Sequence, residues 1–429
     1  MQKNNILVAN LGSTSLKFRL YEMPSEHLLA KGSFERVGSP SSPFTLQIGN
    51  SPPSTGEQHI PHHGAALQAL EKYIGPFNQL AAVGFKPVMA KNISGTQILD
   101  ESVLAAMEAI SALLPAHNPP YISGIRQIQK LFPEIPCIGT FETAFFDSVP
   151  RHNRRFPIPI EWEQKFGILR QGFHGASHRY VSERCAQLVG SKNLRIISCH
   201  LGGSSSVAAI LNGQAINSSW GMTPQSGLPQ NNRSGDFDCF ALIYLARDCG
   251  LSLDYVEKAL ASQSGLKGMS GLPSGDIRDL RQAAANGSAP AAEALDVFVS
   301  SIRKFIGQFL LELKGADAII FTAGIGENNP DLRARILSNL DWLGLHLDPS
   351  ANDSCLATET LITTPQSKIQ AWVIPTNEEI IIARNAWQKL QEITPHHNTT
   401  HPPNYTSNPF HLKKTKPNTN PTLCNKHSE

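Results

Sequence analysis

The sequence has no C-x-x-C pair, and its seven cysteines are scattered along the chain and odd in number. A disulfide framework normally shows an even set of cysteines in a small secreted domain. The pattern therefore argues against such a framework and predicts reduced thiols in a cytoplasmic protein. The cysteines are Cys137, Cys185, Cys199, Cys239, Cys249, Cys355 and Cys424.

Long apolar runs and an excess of one charge are also missing. No apolar run approaches the roughly 18 residues of a membrane-spanning helix, and the N-terminal segment lacks an apolar region followed by a cleavage site. The 37 Lys and Arg residues nearly balance the 35 Asp and Glu residues. Net charge thus gives no support for binding to nucleic acid or to a membrane surface. We expect a soluble cytoplasmic protein that binds neither.

The phosphate-binding pattern G-x-x-x-x-G-K-[ST] is absent, yet residues 8–21, VANLGSTSLKFRLY, place a polar turn between two apolar runs. Two alternating runs around a glycine-containing loop are typical of a β-hairpin, in which Lys17 is a solvated strand residue. The same turn also offers N–H groups and hydroxyls to a phosphate, beside which a lysine acts as a point charge. The residues alone leave both interpretations open.

Apolar strand patterns alternate with helical patterns along the chain, which predicts an α/β fold. Because 429 residues exceed one ordinary core, we expect two domains, residues 1–149 with about 383–393 and residues 150–382. The last residues, 394–429, are rich in Pro, Asn, Thr and His, and a disordered tail is predicted there. Strands are expected at 6–10, 80–85, 135–141, 194–201, 207–216, 316–324 and 369–375, and helices at 100–114, 238–250 and 289–313.

The opening stretch recurs later in the chain. ILVANLGSTSLKFRL (6–20) is similar to RIISCHLGGSSSVAAIL (195–211), since both run from an apolar strand through Leu-Gly and a hydroxyl-rich turn into a second strand. A third junction between a strand and glycines follows at IIFTAGIGEN (319–328). The recurrence predicts duplicated halves, each of which offers a turn to one polyphosphate.

Two segments place basic side chains where an anion could bind. In GFHGASHRY (172–180), small neighbours leave the imidazole of His174 open to a ligand, although a buried structural histidine is the alternative. Arg233 in NNRSGDFD (231–238) lies just before a predicted helix. It is either a solvated residue beside a helix N-cap or a guanidinium aimed at a transferring phosphoryl group.

Four other segments lie at strand ends or helix starts. CHLGGSSS (199–206) follows a strand and can turn its N–H groups towards an anion, whereas SGDIRD (274–279) is typical of a helix start. TAGIGENNP (322–330) allows a nucleotide to approach the backbone at its glycines, with Glu327 and Asn328 as polar edges. The carboxylates of IPTNEE (374–379) either stabilise a helix N-terminus or hold Mg²⁺.

Taken in order, these motifs resemble the acetate and propionate kinases, which belong to the superfamily of sugar kinases, actin and the Hsp70 ATPase domain. The resemblance covers roughly residues 5–390. It implies a duplicated RNase H-like fold, a homodimer, and transfer of the ATP γ-phosphoryl group to a small carboxylate with Mg²⁺, or with Mn²⁺ in its place. It rests on NLGSTSLKF, LLPAHNPP, TFETAF, GFHGASHRYV, CHLGGSSSVAA, RSGDFD, FTAGIGEN and IPTNEE.

The matching positions imply roles for individual residues, with acyl-substrate binding in the first domain and nucleotide binding in the second. The implied catalytic residues are Glu142, His174 and Arg233, and the implied substrate-binding residues are Lys86, Val88, His117, Phe173 and Pro224. Asn10 and Glu378 are implied to hold the metal. The implied nucleotide contacts are Lys17, His200, Leu201, Gly202, Gly203, Ser204, Asp276, Ile277, Arg278, Gly324, Ile325, Gly326, Glu327 and Asn328.

Departures from the family pattern concentrate in the acyl half. Lys86 in GFKPVMAK (84–91) stands where the family has the arginine that binds the substrate carboxylate, and that motif's histidines and paired glycines are missing. Glu142 stands at the catalytic aspartate and Gly203 at an asparagine of the phosphate loop, while Asn-Asn replaces Gly-Thr before Arg233. Ala116 stands where leucine is common, which predicts a larger acyl pocket.

The sequence is therefore compatible with three functions. The leading one is reversible formation of acetyl phosphate and ADP from acetate and ATP, and the second is the same reaction with propionate or another short acid. The third, of a different class, is a catalytically weak nucleotide-binding regulatory protein. The presence of both His174 and Arg233 favours an enzyme, because nucleotide binding alone does not require the pair.

Overall fold

A computed structural model describes residues 3–12, 14–114 and 117–393, so Ala116 and the predicted tail lie outside the described residues. The first sheet has the strand order β5-β4-β3-β2-β1-β6-β8-β7. Strands β1 to β5 form an antiparallel meander, β6 and β8 continue the sheet parallel to β1, and β7 closes it antiparallel to β8. The strands are β1 (Asn5–Leu11), β2 (Leu16–Glu22), β3 (His27–Phe34), β4 (Ser42–Ile48), β5 (Ser54–Gln58), β6 (Leu80–Phe85), β7 (Thr96–Ile98) and β8 (Cys137–Thr140).

The second sheet has the order β11-β10-β9-β12-β14-β13. Strands β9, β10 and β11 are antiparallel, β12 and β14 run parallel to β9, and β13 closes the sheet antiparallel to β14. The strands are β9 (Arg195–Leu201), β10 (Ser205–Leu211), β11 (Gln214–Ser218), β12 (Ala318–Thr322), β13 (Thr360–Leu361) and β14 (Gln370–Val373).

The two sheets share one plan. In each, an antiparallel hairpin leads to two further parallel strands, and the edge strand pairs antiparallel although it precedes its neighbour in the chain. Strand β1 thus corresponds to β9, β2 to β10, β6 to β12 and β8 to β14. The predicted duplication and the α/β class are confirmed.

Helices connect the strands, and several of them pack against the two sheets. They are α1 (His63–Ile74), α2 (Glu101–Glu108), α3 (Asn118–Leu131), α4 (Arg151–Arg154), α5 (Ile160–Phe166), α6 (Gly175–Val189), α7 (Cys239–Arg247), α8 (Leu253–Ser262), α9 (Gly265–Ser270), α10 (Ile277–Ala285), α11 (Ala289–Glu312), α12 (Ala323–Asn328), α13 (Pro330–Leu337), α14 (Pro349–Ser354) and α15 (Glu378–Ile393). Short 3₁₀ turns cover Phe77–Gln79, Ser111–Leu113, Ala144–Phe146 and Asp341–Leu343. Among the described residues, no helix is both long and apolar enough to cross a membrane.

Each sheet has its own apolar core. Helices α6 and α15 contact each other between the two sheets. One core joins the first sheet to α1, α2 and α3, and the other joins the second sheet to α10, α11 and α13. Helix α15 packs Ile380, Ile382 and Ala386 against the strands of the first sheet. This helix therefore joins the N-terminal half from Ile380 onward, and the predicted boundary near residue 383 remains a prediction.

Three expectations for secondary structure are wrong in detail. The strand expected over 207–216 breaks into β10 and β11, because Asn212 and Gly213 both take positive φ angles, 52° and 79°, as a two-residue hairpin turn requires. The helix expected over 100–114 ends at Glu108 and continues only as a 3₁₀ turn. Strands β3 to β5 were not expected, since their segments lack a sustained apolar alternation.

Candidate active site

The turn between β1 and β2 is a closed hairpin. The N–H of Gly12 donates to the carbonyl of Ser15 at 2.9 Å, and His63 Nε2 lies 2.9 Å from the Gly12 carbonyl oxygen. A Cβ at position 12 would lie 2.5 Å from Ser15 Oγ, so a larger residue there would require the Ser15 side chain to rotate. Lys17 is exposed and pairs in register with Asn10, whose Oδ1 accepts from the Tyr121 hydroxyl at 2.8 Å. The hairpin is confirmed, and the phosphate contact of Lys17 remains a prediction.

The equivalent turn between β9 and β10 carries the predicted phosphate loop. Gly202 N–H donates to Ser205 Oγ at 3.2 Å, and the carbonyl of Gly203 accepts from the N–H of Asn231 at 3.2 Å. The second contact ties this turn to the segment that carries Arg233. Gly203 is exposed and Ser204 is half-buried, whereas the side chain of Leu201 lies in the core. Only the backbone of Leu201 can therefore face a nucleotide.

His174 lies at the N-terminus of α6 in the left-handed conformation, with φ 59°. Its N–H donates to Glu142 Oε2 at 2.6 Å, which couples the α6 turn to the segment after β8. The imidazoles of His174 and His200 are stacked, with centroids 4.0 Å apart. Burial, neighbouring histidines and nearby cations lower the pKa of His174 and of His200 well below the usual value. Both rings are therefore neutral at pH 7.

Lys86 lies between two carboxylates. Its ammonium is 2.7 Å from Glu142 Oε1 and 2.5 Å from Glu378 Oε2, and all three side chains are largely buried. Burial alone would lower the pKa of Lys86, but the charges of Glu142 and Glu378 raise it well above its usual value. Burial likewise opposes the charged form of Glu378, yet Lys86 keeps its pKa lowered. An ammonium has three donors, so these two carboxylates leave one N–H of Lys86 unused.

Arg233 carries a charge that the described residues do not neutralise. Its Nη1 donates to the carbonyl of Pro224 at 2.8 Å, and no carboxylate within the described residues forms an ion pair with it. Burial lowers its pKa. At the start of α3, partial desolvation and then the charges of Arg233 and Lys86 lower the pKa of His117. Arg233 and Lys86 thus both lie close enough to His117 to lower its pKa.

An apolar cluster forms one wall beside His174. It contains buried Met89, Leu114, Phe173 and Trp220, with Val88 packed against them. Trp220 is 1% exposed and stands edge-on to Phe173 and to His174, with centroids 5.4 Å away in each case. Its indole N–H has no partner among the described residues. The predicted pocket residues Val88 and Phe173 are therefore together, whereas the role seen for Pro224 is to hold Arg233.

Trp220 was missed in the sequence reasoning. The segment around it, NSSWGMTP (217–224), has no strand or helix period. A large aromatic residue in a polar segment just after a strand is the signal that could have identified it.

The predicted nucleotide segments are built differently from one another. Asp276 caps α10 and pairs with Arg278, whose side chain is 85% exposed, while Ile277 is buried in the core. The glycines of TAGIGENNP (322–330) lie in the short helix α12, and Glu327 Oε1 accepts from the N–H groups of Ala323 and Thr376 at 2.7 and 3.2 Å.

These contacts change what the α12 segment can offer to a nucleotide. Glu327 caps its own helix, and Asn328 donates to the Gly324 carbonyl at 3.0 Å. The two side chains expected as free polar edges are therefore used locally. Gly324 is exposed, Ile325 half-buried and Gly326 buried, so that backbone rather than side chains faces outward at Gly324.

The donors of the predicted metal site suit a hard cation. Asn10 Oδ1 and the carboxylate of Glu378 are oxygen ligands, and no group of three or more His, Cys, Asp or Glu that could hold a metal is found in the described part of the chain. Mg²⁺ in kinases is commonly held by one or two carboxylates together with substrate phosphates. The residues present fit such a shared site better than a protein-only cage.

Two equivalent sheets, each with a hairpin turn after its first strand, define a duplicated α/β fold. Over residues 5–384 the chain matches the model of the Acetokinase family. It is 40% identical to an acetate kinase of Bacillus subtilis over 391 residues, covering 89% of this chain and 98% of that protein. The chain therefore belongs to the acetokinase family.

Solved structures agree with this assignment. An acetate kinase from Porphyromonas gingivalis superimposes with a TM-score of 0.81 and 35% identity, covering 90% of this chain and all of that one. A propionate kinase from Francisella tularensis gives a TM-score of 0.81 at 32% identity over 89% of this chain and 98% of its own.

Proposed function

We propose that this protein transfers the γ-phosphoryl group of ATP to acetate, giving acetyl phosphate and ADP, in a reversible reaction. The observation that carries this proposal is Arg233, a desolvated guanidinium with no carboxylate partner in the described residues. A half-buried charge without a carboxylate partner favours a ligand that completes it. Beside neutral His174 and His200, a transferring phosphoryl group is the ligand that fits.

In this reaction an acetate oxygen attacks the γ-phosphorus, and the bond from that phosphorus to the β–γ bridging oxygen breaks as ADP leaves. Arg233 and His174 stabilise the equatorial oxygens, and the third donor of Lys86 holds the acetate carboxylate. Glu142 positions both Lys86 and the His174 backbone through its two oxygens. The catalytic power then comes mainly from alignment and fixed positive charge.

We further propose that Asn10 and Glu378 hold Mg²⁺, or Mn²⁺ in its place. When bound, the ion would neutralise charge on the nucleotide phosphates. Glu378 already contacts Lys86 at 2.5 Å, so one carboxylate serves both the metal side and the acyl side of the site. Lys17, the turn at Gly202–Ser204, the Asp276–Arg278 segment and the backbone of residues 324–328 are proposed to bind the nucleotide.

Among short acids, acetate is favoured over propionate by Trp220. Its buried ring stands against both Phe173 and His174, so it narrows the space beside the reacting carboxylate. The alternative of a propionate kinase rests on the resemblance to the Francisella tularensis enzyme and on Ala116, which lies outside the described residues.

A coupled or hydroxamate assay with acetate, propionate and butyrate at saturating Mg·ATP tests the proposal. We expect acyl phosphate with acetate and less with each longer acid. ATP binding without acyl phosphate from any of the three acids would instead favour the regulatory alternative.

We also propose a homodimer formed through α7 and α8. Helix α7 has no buried residue although its sequence is CFALIYLAR, and Phe240 is 73% exposed. Tyr244, Leu253 and Tyr255 are exposed on the same pair of helices. A helix that is apolar all round needs cover, and a two-fold axis lets one such face cover its copy.

Light scattering on the full chain tests the dimer, and Phe240→Asp with Tyr244→Asp is expected to yield monomers. A wild-type monomer at micromolar concentration would refute it.

For location, we propose the cytoplasm, since the six cysteines in the described residues are unpaired.

A further inference from the structure

A line of buried hydrogen bonds runs behind His174. Ser206 Oγ, on β10, lies 2.9 Å from His174 Nδ1 and 2.8 Å from His178 Nε2. The other ring nitrogen of His178, Nδ1, lies 2.8 Å from Ser198 Oγ on β9. His178, Ser198 and Ser206 are completely buried. Three hydrogen bonds thus connect the second sheet to the imidazole of His174.

The number of protons in this line is fixed by its chemistry. Each neutral imidazole has one N–H donor and one acceptor nitrogen, and each hydroxyl has one proton to donate. Burial keeps the pKa of His174 and of His178 well below the usual value, so neither ring carries a second proton at neutral pH. The line can therefore run in two directions, or both rings can donate to Ser206, which leaves the buried Ser206 proton without an acceptor.

In the first direction, His174 Nδ1–H donates to Ser206, Ser206 donates to His178 Nε2, and His178 Nδ1–H donates to Ser198. The hydroxyl proton of Ser198 then has no acceptor, because its contact with His178 is its only side-chain hydrogen bond among the described residues. A buried hydroxyl without an acceptor is unfavourable.

In the opposite direction, every proton has an acceptor. Ser198 donates to His178 Nδ1, His178 Nε2–H donates to Ser206, and Ser206 donates to His174 Nδ1. The proton of His174 then lies on Nε2, the ring nitrogen that forms no hydrogen bond with a described residue. We propose that His178 is a positioning residue that, through Ser206, holds His174 as the Nε2–H tautomer and so as a donor to an anion.

His200 supports the same direction independently. Thr376 Oγ1 donates to Ser177 Oγ at 2.9 Å, which leaves the Ser177 proton for His200 Nδ1 at 2.8 Å. His200 therefore also carries its proton on Nε2. The stacked pair His174 and His200 presents two neutral donors to one anion without the repulsion of two imidazolium ions.

Only the identity of the anion as the transferring phosphoryl group rests on the proposed function. The tautomer is a property of the free protein and can be measured without substrate. Failure of the kinase assay would therefore remove the anion's identity and leave the tautomer untouched.

The test is the ring-nitrogen NMR spectrum of full-length protein labelled with ¹⁵N-histidine, in which His174→Gln assigns the signals of His174. We expect neutral His174 with its proton on Nε2. Ser206→Ala and His178→Phe should give a mixture of both tautomers, whereas His178→Gln, which can still donate to Ser206 and accept from Ser198, should keep the Nε2–H form.

Kinetics provide the second readout. Ser206→Ala and His178→Phe should lower kcat roughly 10-fold and leave the KM of acetate and ATP unchanged, and His178→Gln should restore most of the loss. Ser182→Ala is the matched control, because the hydroxyl of this buried serine on α6 donates to the Arg179 carbonyl and to no other group among the described residues. A His174 proton on Nδ1 in the wild type, or the wild-type tautomer in Ser206→Ala, would overturn the proposal even if His178→Phe fails to fold.

Discussion

The two halves of the proposed site, the acyl side and the nucleotide side, handle charge in opposite ways. On the acyl side, the Lys86 ammonium lies between two carboxylates with only 16% of its side chain exposed. On the nucleotide side, Arg278 pairs with Asp276 next to it in the chain and is 85% exposed. Coulomb interactions strengthen as water is removed. The acyl half should therefore respond strongly to single charge changes, and the nucleotide half weakly.

Arg233→Ala is expected to have the largest effect, because Arg233 lies where the two halves meet and its charge has no carboxylate partner in the described residues. A guanidinium that stabilises a transferring phosphoryl group contributes about 10³-fold or more to kcat. We expect acyl-phosphate formation to fall by that factor while ATP still binds.

Steady-state kinetics with a separate nucleotide titration would check this. Arg335→Ala, which removes a surface ion pair to Asp296, is the matched control and should leave turnover unchanged. If Arg233→Ala retains more than a tenth of wild-type turnover, Arg233 takes no part in the chemistry.

Lys86→Ala should have the next largest effect. The change removes one charge-assisted hydrogen bond to the carboxylate, worth about 1.5–3 kcal/mol, so the acetate KM should rise roughly 10- to 150-fold with the ATP KM little changed. Lys86→Arg should lower the acetate KM, because a guanidinium binds a carboxylate through two parallel donors.

Acetate titrations at saturating Mg·ATP distinguish the outcomes. Lys91→Ala, in the same segment but exposed, is the control and should leave the acetate KM at the wild-type value. An unchanged acetate KM in Lys86→Ala would mean that the Lys86 ammonium bonds only to Glu142 and Glu378. The acetate carboxylate would then be bound elsewhere.

Trp220→Met should have a moderate effect confined to the acyl half. A smaller side chain beside Phe173 and His174 makes room for one more methylene, which is worth roughly 10-fold in discrimination between substrates. We expect kcat/KM for propionate to rise by about that factor relative to acetate.

Competition between the two acids measures this ratio directly. Trp342→Met is the control, since Trp342 is 79% exposed and should leave the preference unchanged. A melting temperature for each variant separates altered specificity from a collapsed core, and an unaltered ratio in well-folded Trp220→Met would remove this residue from the pocket.

Local signals predicted the hairpin turns, whereas the contacts that define the acyl site escaped sequence reasoning. A strand followed by Leu-Gly and hydroxyl residues fixes a turn within about ten residues, so both β1–β2 and β9–β10 were predicted. Lys86 meets Glu378 across 292 residues, and such a pairing has no local signature. The hydrogen-bonded line of Ser206, His178 and Ser198 behind His174 could not be predicted from the sequence for the same reason. Strands β9 and β10 and helix α6 contribute to it from separate segments.

Helix α12 shows a second limit. Glu327 and Asn328 were predicted to offer polar edges to a nucleotide, but Glu327 accepts from the N–H of Ala323 and from the N–H of Thr376 on a distant segment. The polar edge predicted from the sequence at Glu327 is thus a helix cap in the structure. Tertiary context assigned the side chain to a use that its neighbours in sequence do not reveal.

Arg278→Ala should have the smallest effect and is the sharpest check of the comparison. The side chain is exposed and its ion pair with Asp276 is screened by water and salt. We expect the ATP KM to rise about threefold, with the acetate KM and the melting temperature unchanged. Raising the salt concentration should reduce this small effect but not that of Lys86→Ala, because burial protects the Lys86 pairs from screening. If Arg278→Ala instead raised the ATP KM as much as Lys86→Ala raises the acetate KM, the nucleotide would bury Arg278 on binding, and the contrast between the two halves would hold only for the free protein.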